Sequence, residues 1–127
     1  MPASWQTEAE AEMVKRAILL PVLLDLLERD RQALANIPLK MPQIYKGFIG
    51  LLQTAAMNEL AQVRKDMRKH GIKVFEERRT TFGLEARYLC RGYRYEFDML
   101  WGLVRAEIFQ LLGDYSGIDI TKEGISP

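Results

Sequence analysis

The stretch PQIYKGFIGLLQTAAMNELAQVRKDMRKHG, residues 42–71, decides how the rest of the chain is read. Its apolar residues Tyr45, Ile49, Leu52, Ala56, Leu60, Val63 and Met67 are separated by 4, 3, 4, 4, 3 and 4 positions. That spacing keeps one face of a helix apolar and is incompatible with a strand, whose period is two. Pro42 suits the first helical position, where its missing N–H needs no partner. Gly71 suits the position just past the end, where a left-handed residue closes the last turn. The stripe is broad over Ile44 to Ala56, with Phe48 and Leu51 added, and narrow over Leu60 to His70. The first half is therefore expected in the middle of the core and the second as an arm. Gly47 and Gly50 each cost about 1 kcal/mol against alanine inside a helix. They mark either the close approach of another helix backbone or simple tolerance in a buried turn.

Upstream, Thr7-Glu8-Ala9-Glu10 reads as a capping box, Thr7 capping and Glu10 reaching back to the cap N–H. Met13, Ala17, Leu20, Leu24, Leu27 and Leu34 continue a 3–4 pattern, widened by Val14, Ile18, Val22 and Leu23. Pro21 removes one helical hydrogen bond, but the pattern stays in phase across it, so a kink is expected and not an end. A helix this apolar sits between neighbours. The proline-containing turn around residues 36–42 is short enough to make the first two helices antiparallel.

Downstream the period changes. Leu84, Ala86, Tyr88 and Cys90 alternate with charged residues, and Ile72 to Arg79 reads as a weaker strand before a turn at Thr80 to Gly83. Opposite charges favour pairing Glu76 with Arg87 and Arg78 with Glu85, with Arg79 facing Leu84 and Val74 facing Leu89. Phe97, Trp101, Val104, Ile108, Leu111 and Tyr115 step as a helix beginning near Gly92 or Tyr93 and ending at Gly113 or Gly117. It would carry Glu96, Asp98 and Glu107. The expected fold is mainly α within the α+β class: two long antiparallel helices, a β-hairpin and a third helix, in the order α-α-β-β-α. Residues 1–127 form one domain, with 1–6 and 118–127 as loose termini.

Composition bounds function. The 127 residues carry a net charge of +1 and 48% hydrophobic residues, ordinary for a globular chain and without a global pull toward nucleic acid or membrane. The longest apolar run, residues 17–24, falls far short of the roughly 20 residues a spanning helix needs. No basic leader opens the chain, and the single cysteine, Cys90, excludes an internal disulfide. The expected compartment is the cytoplasm. His70, the only histidine, reads as a helix-terminal surface residue, and Cys90 as a small buried hydrophobe. One histidine and one cysteine cannot build a structural zinc site. Glycine-rich phosphate loops, nucleophile elbows and convergent carboxylates are absent from the sequence. No catalytic, cofactor or metal residues are assigned, and the expected protein is not an enzyme.

The charge is unevenly spread. Residues 64–94 hold ten cations, Arg64, Lys65, Arg68, Lys69, Lys73, Arg78, Arg79, Arg87, Arg91 and Arg94, against four acids. That segment is +6 and the remainder −5. It reads as a solvated face, as a dock for an acidic protein surface, or as a nucleic-acid footprint with tyrosines to stack.

The element order, together with Ala17-Ile-Leu-Leu-Pro-Val-Leu-Leu24, Met67-Arg-Lys-His-Gly-Ile-Lys-Val74 and Arg91-Gly-Tyr93, resembles the YhjD-like proteins of Bacillus-type spore-forming bacteria. The resemblance spans most of the chain. It implies a source but no activity, cofactor or site residue. The function expected from the residues is a non-enzymatic interaction or regulatory protein that forms a homodimer through the first helix and the hairpin. The alternative is a nucleic-acid-binding regulator using the basic region. The places to look first are where the arm meets the hairpin, and then the kink at Pro21.

Overall fold

The computed structural model describes residues 5–121. Helix α1 spans Glu8–Leu34 and α2 spans Pro42–Lys69. Strands β1 (Ile72–Arg79), β2 (Gly83–Cys90) and β3 (Tyr93–Leu100) form an antiparallel meander in the order β1-β2-β3, and α3 (Trp101–Ser116) follows. The expected hairpin is thus a three-stranded sheet, and the fold is α-α-β-β-β-α. Tyr93, Tyr95, Phe97 and Met99 alternate with Arg94, Glu96 and Asp98, and this two-residue period makes a strand where a helix start was expected. Glu96 and Asp98 therefore lie on β3, with only Glu107 of the three acids on a helix. Arg91 and Gly92, at φ 50° and 86°, form the tight loop between β2 and β3. Two successive positive φ values match the twist of a two-residue hairpin turn.

The capping box of α1 forms as expected. Glu10 N–H donates to Thr7 Oγ1 at 3.1 Å, and Thr7 N–H donates to Glu10 Oε1 at 2.9 Å. α1 runs unbroken through Pro21. Gly71, at φ 69°, turns the chain from α2 into β1, and Gly117, at φ 76°, ends α3. The β1–β2 register follows the expected charge pairing from Arg79↔Leu84 to Glu76↔Arg87, and Arg78 meets Glu85 at 2.6 Å. A bulge at Phe75 then shifts the ladder, so Val74 faces Tyr88 and not Leu89.

One face of the sheet is apolar. Ile72, Leu84, Ala86, Tyr88 and Cys90 are buried there against α1 and α3 residues such as Val14, Leu20, Val104 and Ile108. Tyr88 and Tyr95 stack across β2 and β3 at 5.6 Å. The apolar breadth of α1 is used within the chain, since Val14, the run Ala17 to Leu20, Val22, Leu23 and Leu27 are all buried.

The two halves of α2 reverse the expected roles. Its buried residues are Ala56, Leu60 and Met67, all in or near the arm. Ile44, Tyr45, Phe48 and Leu51 are exposed. The sheet is the reason. Glu10 of α1 meets the β2–β3 turn, and Asp25 meets Arg79 at the end of β1 at 2.7 Å. The sheet thus covers α1 only from about residue 10 to 25. Beyond it, the end of α1 and the start of α2 project as a helical tip, and no residue from Glu28 to Ala55 is buried.

Loose ends were expected at both termini; residues 1–4 and 122–127 lie outside the described residues. Trp5 and Gln6 are held. The Trp5 carbonyl accepts from Arg91 Nη2 at 2.6 Å, and Gln6 Oε1 accepts from the Tyr88 hydroxyl at 2.7 Å.

Candidate functional site

Three elements converge on Glu10. The carboxylate enters from the first turn of α1, His70 caps α2, and Arg91 stands in the β2–β3 turn. Glu10 is 2% exposed, the one buried charged side chain among the described residues. Its Oε2 accepts from Arg91 Nη1 at 2.5 Å and meets His70 Nδ1 at 2.9 Å. Its Oε1 accepts from Arg91 Nη2 at 3.1 Å as well as from the Thr7 N–H. The two guanidinium bonds are a bidentate fork, the strongest geometry for this pair. They hold the Glu10 carboxyl at about 2, below its ordinary 4.5, with the Thr7 N–H and His70 adding to the effect against burial. An ionised carboxylate only accepts, so His70 Nδ1 carries the hydrogen.

Arg91 sits at a positive φ that side chains rarely adopt. Its N–H donates to the Gly71 carbonyl at 2.9 Å, and a Cβ on Gly71 would lie 3.2 Å from Arg91 Cγ. The left-handed backbone aims the guanidinium inward, and Gly71 leaves room for its stem. Cys90 is fully buried with Sγ 3.9 Å from Glu10 Oε1. Burial, and then the Glu10 charge, push its thiol up, which disfavours the nucleophilic thiolate. The Glu10 oxygens are fully occupied and the Arg91 charge offsets theirs. The cluster orients His70, whose side chain is 45% exposed, and it acts as a clasp joining the N-terminal segment, α2 and the sheet.

The clasp is acid-sensitive in a defined direction. The folded Glu10 binds its proton less readily than the unfolded chain does. Its contribution to stability is full above about pH 4.5 and is lost as pH falls through about 2. Thermal melts of the native protein and of Glu10→Gln are expected to differ most at neutral pH and to converge toward pH 2. A constant gap would remove Glu10 as the titrating group.

The ten basic residues divide by what they touch. Five are engaged within the chain: Arg78 with Glu85, Arg79 with Asp25, Arg87 with Glu76 at 3.3 Å, Arg91 with Glu10, and Arg94 over the Phe75 ring at 5.8 Å. The other five, Arg64, Lys65, Arg68, Lys69 and Lys73, are exposed and make no ion pair among the described residues. They run along the end of α2 into the start of β1. A groove of about 380 Å³ lies where that arm meets β1, lined by the apolar Ala17, Met67, Ile72 and Val74 and by the charged Arg64, Arg68, Glu76 and Glu77. A smaller one, about 190 Å³, lies beside Pro21.

The other unusual surface is the projecting tip. Ten of the fifteen exposed large apolar residues lie at this end of the molecule: Leu26, Ile37, Met41, Ile44, Tyr45, Phe48 and Leu51 on the tip, and Phe82, Leu100 and Leu103 where the sheet ends. Outside their own helix turn, no atom among the described residues lies within 4 Å of where a Cβ would stand on Gly47 or Gly50. The capping role of Glu10 is legible in the sequence; its pairing with His70 and Arg91 is not. Sixty and eighty-one residues separate those partners, and no local pattern links them. Its signal is a carboxylate recurring on the apolar side of α1, beside Val14 and Ala17.

No group of three or more histidine, cysteine or acidic side chains is placed to hold a metal ion among the described residues. No helix there is long and apolar enough to cross a membrane. A family model described as "YhjD protein" matches residues 5–120. The uncharacterised protein YhjD of Bacillus subtilis (strain 168) is 29% identical over 105 residues, covering 82% of this chain and 87% of that protein. No solved structure matches. With a match over nearly its whole length, this chain belongs to the YhjD protein family.

Proposed function

We propose that this protein is a non-enzymatic interaction protein that self-associates through its projecting helical tip. One observation carries the reading: residues 28–55 hold no buried residue, yet they expose Ile37, Met41, Ile44, Tyr45, Phe48 and Leu51. Met41, Ile44, Phe48, Leu51 and Ala55 follow one another by 3, 4, 3 and 4 positions, the seam that packs helix on helix. Met41, Ile44, Phe48 and Leu51 along it are each more than half exposed, and a stable interface buries about 800 Å² from each partner. Two antiparallel helical tips laid together make a four-helix arrangement. The partner is accordingly a second copy of the chain, and the surface is α2 rather than the first helix, whose apolar face is already covered.

Phe48→Glu combined with Leu51→Glu tests this. Each substitution places a charge on an exposed seam, which any association would have to desolvate. Association is expected to weaken at least about 100-fold in sedimentation velocity, with helical circular dichroism retained. Unchanged association would move the interface elsewhere.

A further inference from the structure

We propose that the groove between the end of α2 and strand β1 binds an extended acidic peptide segment of a partner protein, which adds to β1 as a fourth strand. β1 is an edge of the sheet, paired only with β2. Among the described residues no side chain hydrogen-bonds its backbone, and the one ladder it joins is with β2. An open edge is a template for another chain unless something covers it. The lining of the groove beside it includes the apolar Ala17, Met67, Ile72 and Val74, which suit alternate side chains of an incoming strand.

Charge selects the occupant. The five engaged cations of the basic segment lie along the sheet and its turn, each already matched. The five unmatched ones, Arg64, Lys65, Arg68, Lys69 and Lys73, gather on the arm and the first residues of β1. A strand laid in the groove would lie beside Arg64 and Arg68, which line it, so its carboxylates would meet cations that have no internal partner. Glu76, already paired with Arg87, and Glu77 line the groove together with Arg64 and Arg68, so acidic residues of the segment belong opposite the two arginines and neutral ones beside Glu77. A nucleic acid, uniformly negative, would have to pass Glu76 and Glu77. The groove is on the arm side of the molecule, away from the apolar tip, so this assignment stands independently of self-association.

The test uses the full chain and two fluorescent dodecapeptides of alternating composition, one Glu–Val and one Lys–Val, with a twelve-nucleotide single-stranded oligonucleotide as a third probe. Anisotropy at low salt is expected to show binding of the Glu–Val peptide at least tenfold tighter than the Lys–Val peptide. Arg64→Glu with Arg68→Glu, both exposed, is expected to weaken it at least tenfold with circular dichroism unchanged. Hydrogen exchange with the peptide bound is expected to protect β1 amides and leave β3 unaffected. Equal affinity for both peptides, no binding, or no β1 protection would overturn the proposal. So would tighter binding of the oligonucleotide. Loss of self-association in the Arg64→Glu/Arg68→Glu protein would overturn it as well, assigning the groove to a second copy.

Discussion

Arg91→Ala is expected to lower the melting temperature by on the order of 10 °C at pH 7. The substitution leaves Glu10, 2% exposed, with its charge and with His70, the Thr7 N–H and the weak Cys90 thiol as partners. Losing one member of a buried pair costs far more than the pair contributes, because the survivor stays out of water uncompensated. The arginine also anchors the Trp5 carbonyl, so the N-terminal segment loses its hold on the sheet. Arg91→Lys keeps the charge but not the two-pronged bond, and an intermediate loss is expected. Glu10→Gln should cost less than Arg91→Ala, because it removes the charge that needs a partner while the guanidinium remains partly solvated. A shift of less than about 2 °C for Arg91→Ala in a calorimetric melt would show that Glu10 is not held as described.

Gly83→Ala is the second large effect. A Cβ at this position would lie 2.0 Å from the Met99 carbonyl oxygen and 2.8 Å from its carbon, both backbone atoms of the adjacent strand. Neither can swing aside as a side chain could, so β2 and β3 must part at this end. The same corner is tied by Trp101, whose indole N–H donates to the Thr80 carbonyl at 2.8 Å and whose amide donates to Phe82 at 3.1 Å. A loss of at least about 3 kcal/mol is expected in urea unfolding, the upper range for overpacking a buried site. A red shift in Trp101 emission should accompany it. Wild-type stability would mean that the strands are not this close.

These two positions illustrate what the sequence could and could not convey. Elements governed by short-range pattern were legible: the capping box at Thr7, Pro42 at the start of α2, Gly71 at its exit, and the charge pairing that aligns Arg78 with Glu85. β3 was hidden because Phe97 serves two periods at once. It belongs to the alternation Tyr93, Tyr95, Phe97, Met99, and it also lies four residues before Trp101 on the stripe of α3. Arg-Gly, less common in a two-residue turn than Asn-Gly, gave no stop signal to separate them. The inside and outside of α2 were misjudged for a different reason. The helix bears two apolar seams, and its sequence cannot say which is covered by the same chain. That depends on how far the sheet reaches along α1, which the packing of its apolar face in the core decides and no local period encodes. The clasp was out of reach because its cohesion is entirely long-range.

The separation between a covered seam and an uncovered one is the centre of the functional account. The 28-residue tip holds no fully buried side chain, only Ile49 and Leu52 resting against the core, and in the proposed reading a second copy covers its exposed seam. Sedimentation equilibrium of the native chain from about 1 to 100 μM measures this most directly. The account predicts a concentration-dependent rise in mass from the 14.7 kDa of one chain toward twice that value. A mass that stays at 14.7 kDa across the whole range would contradict it.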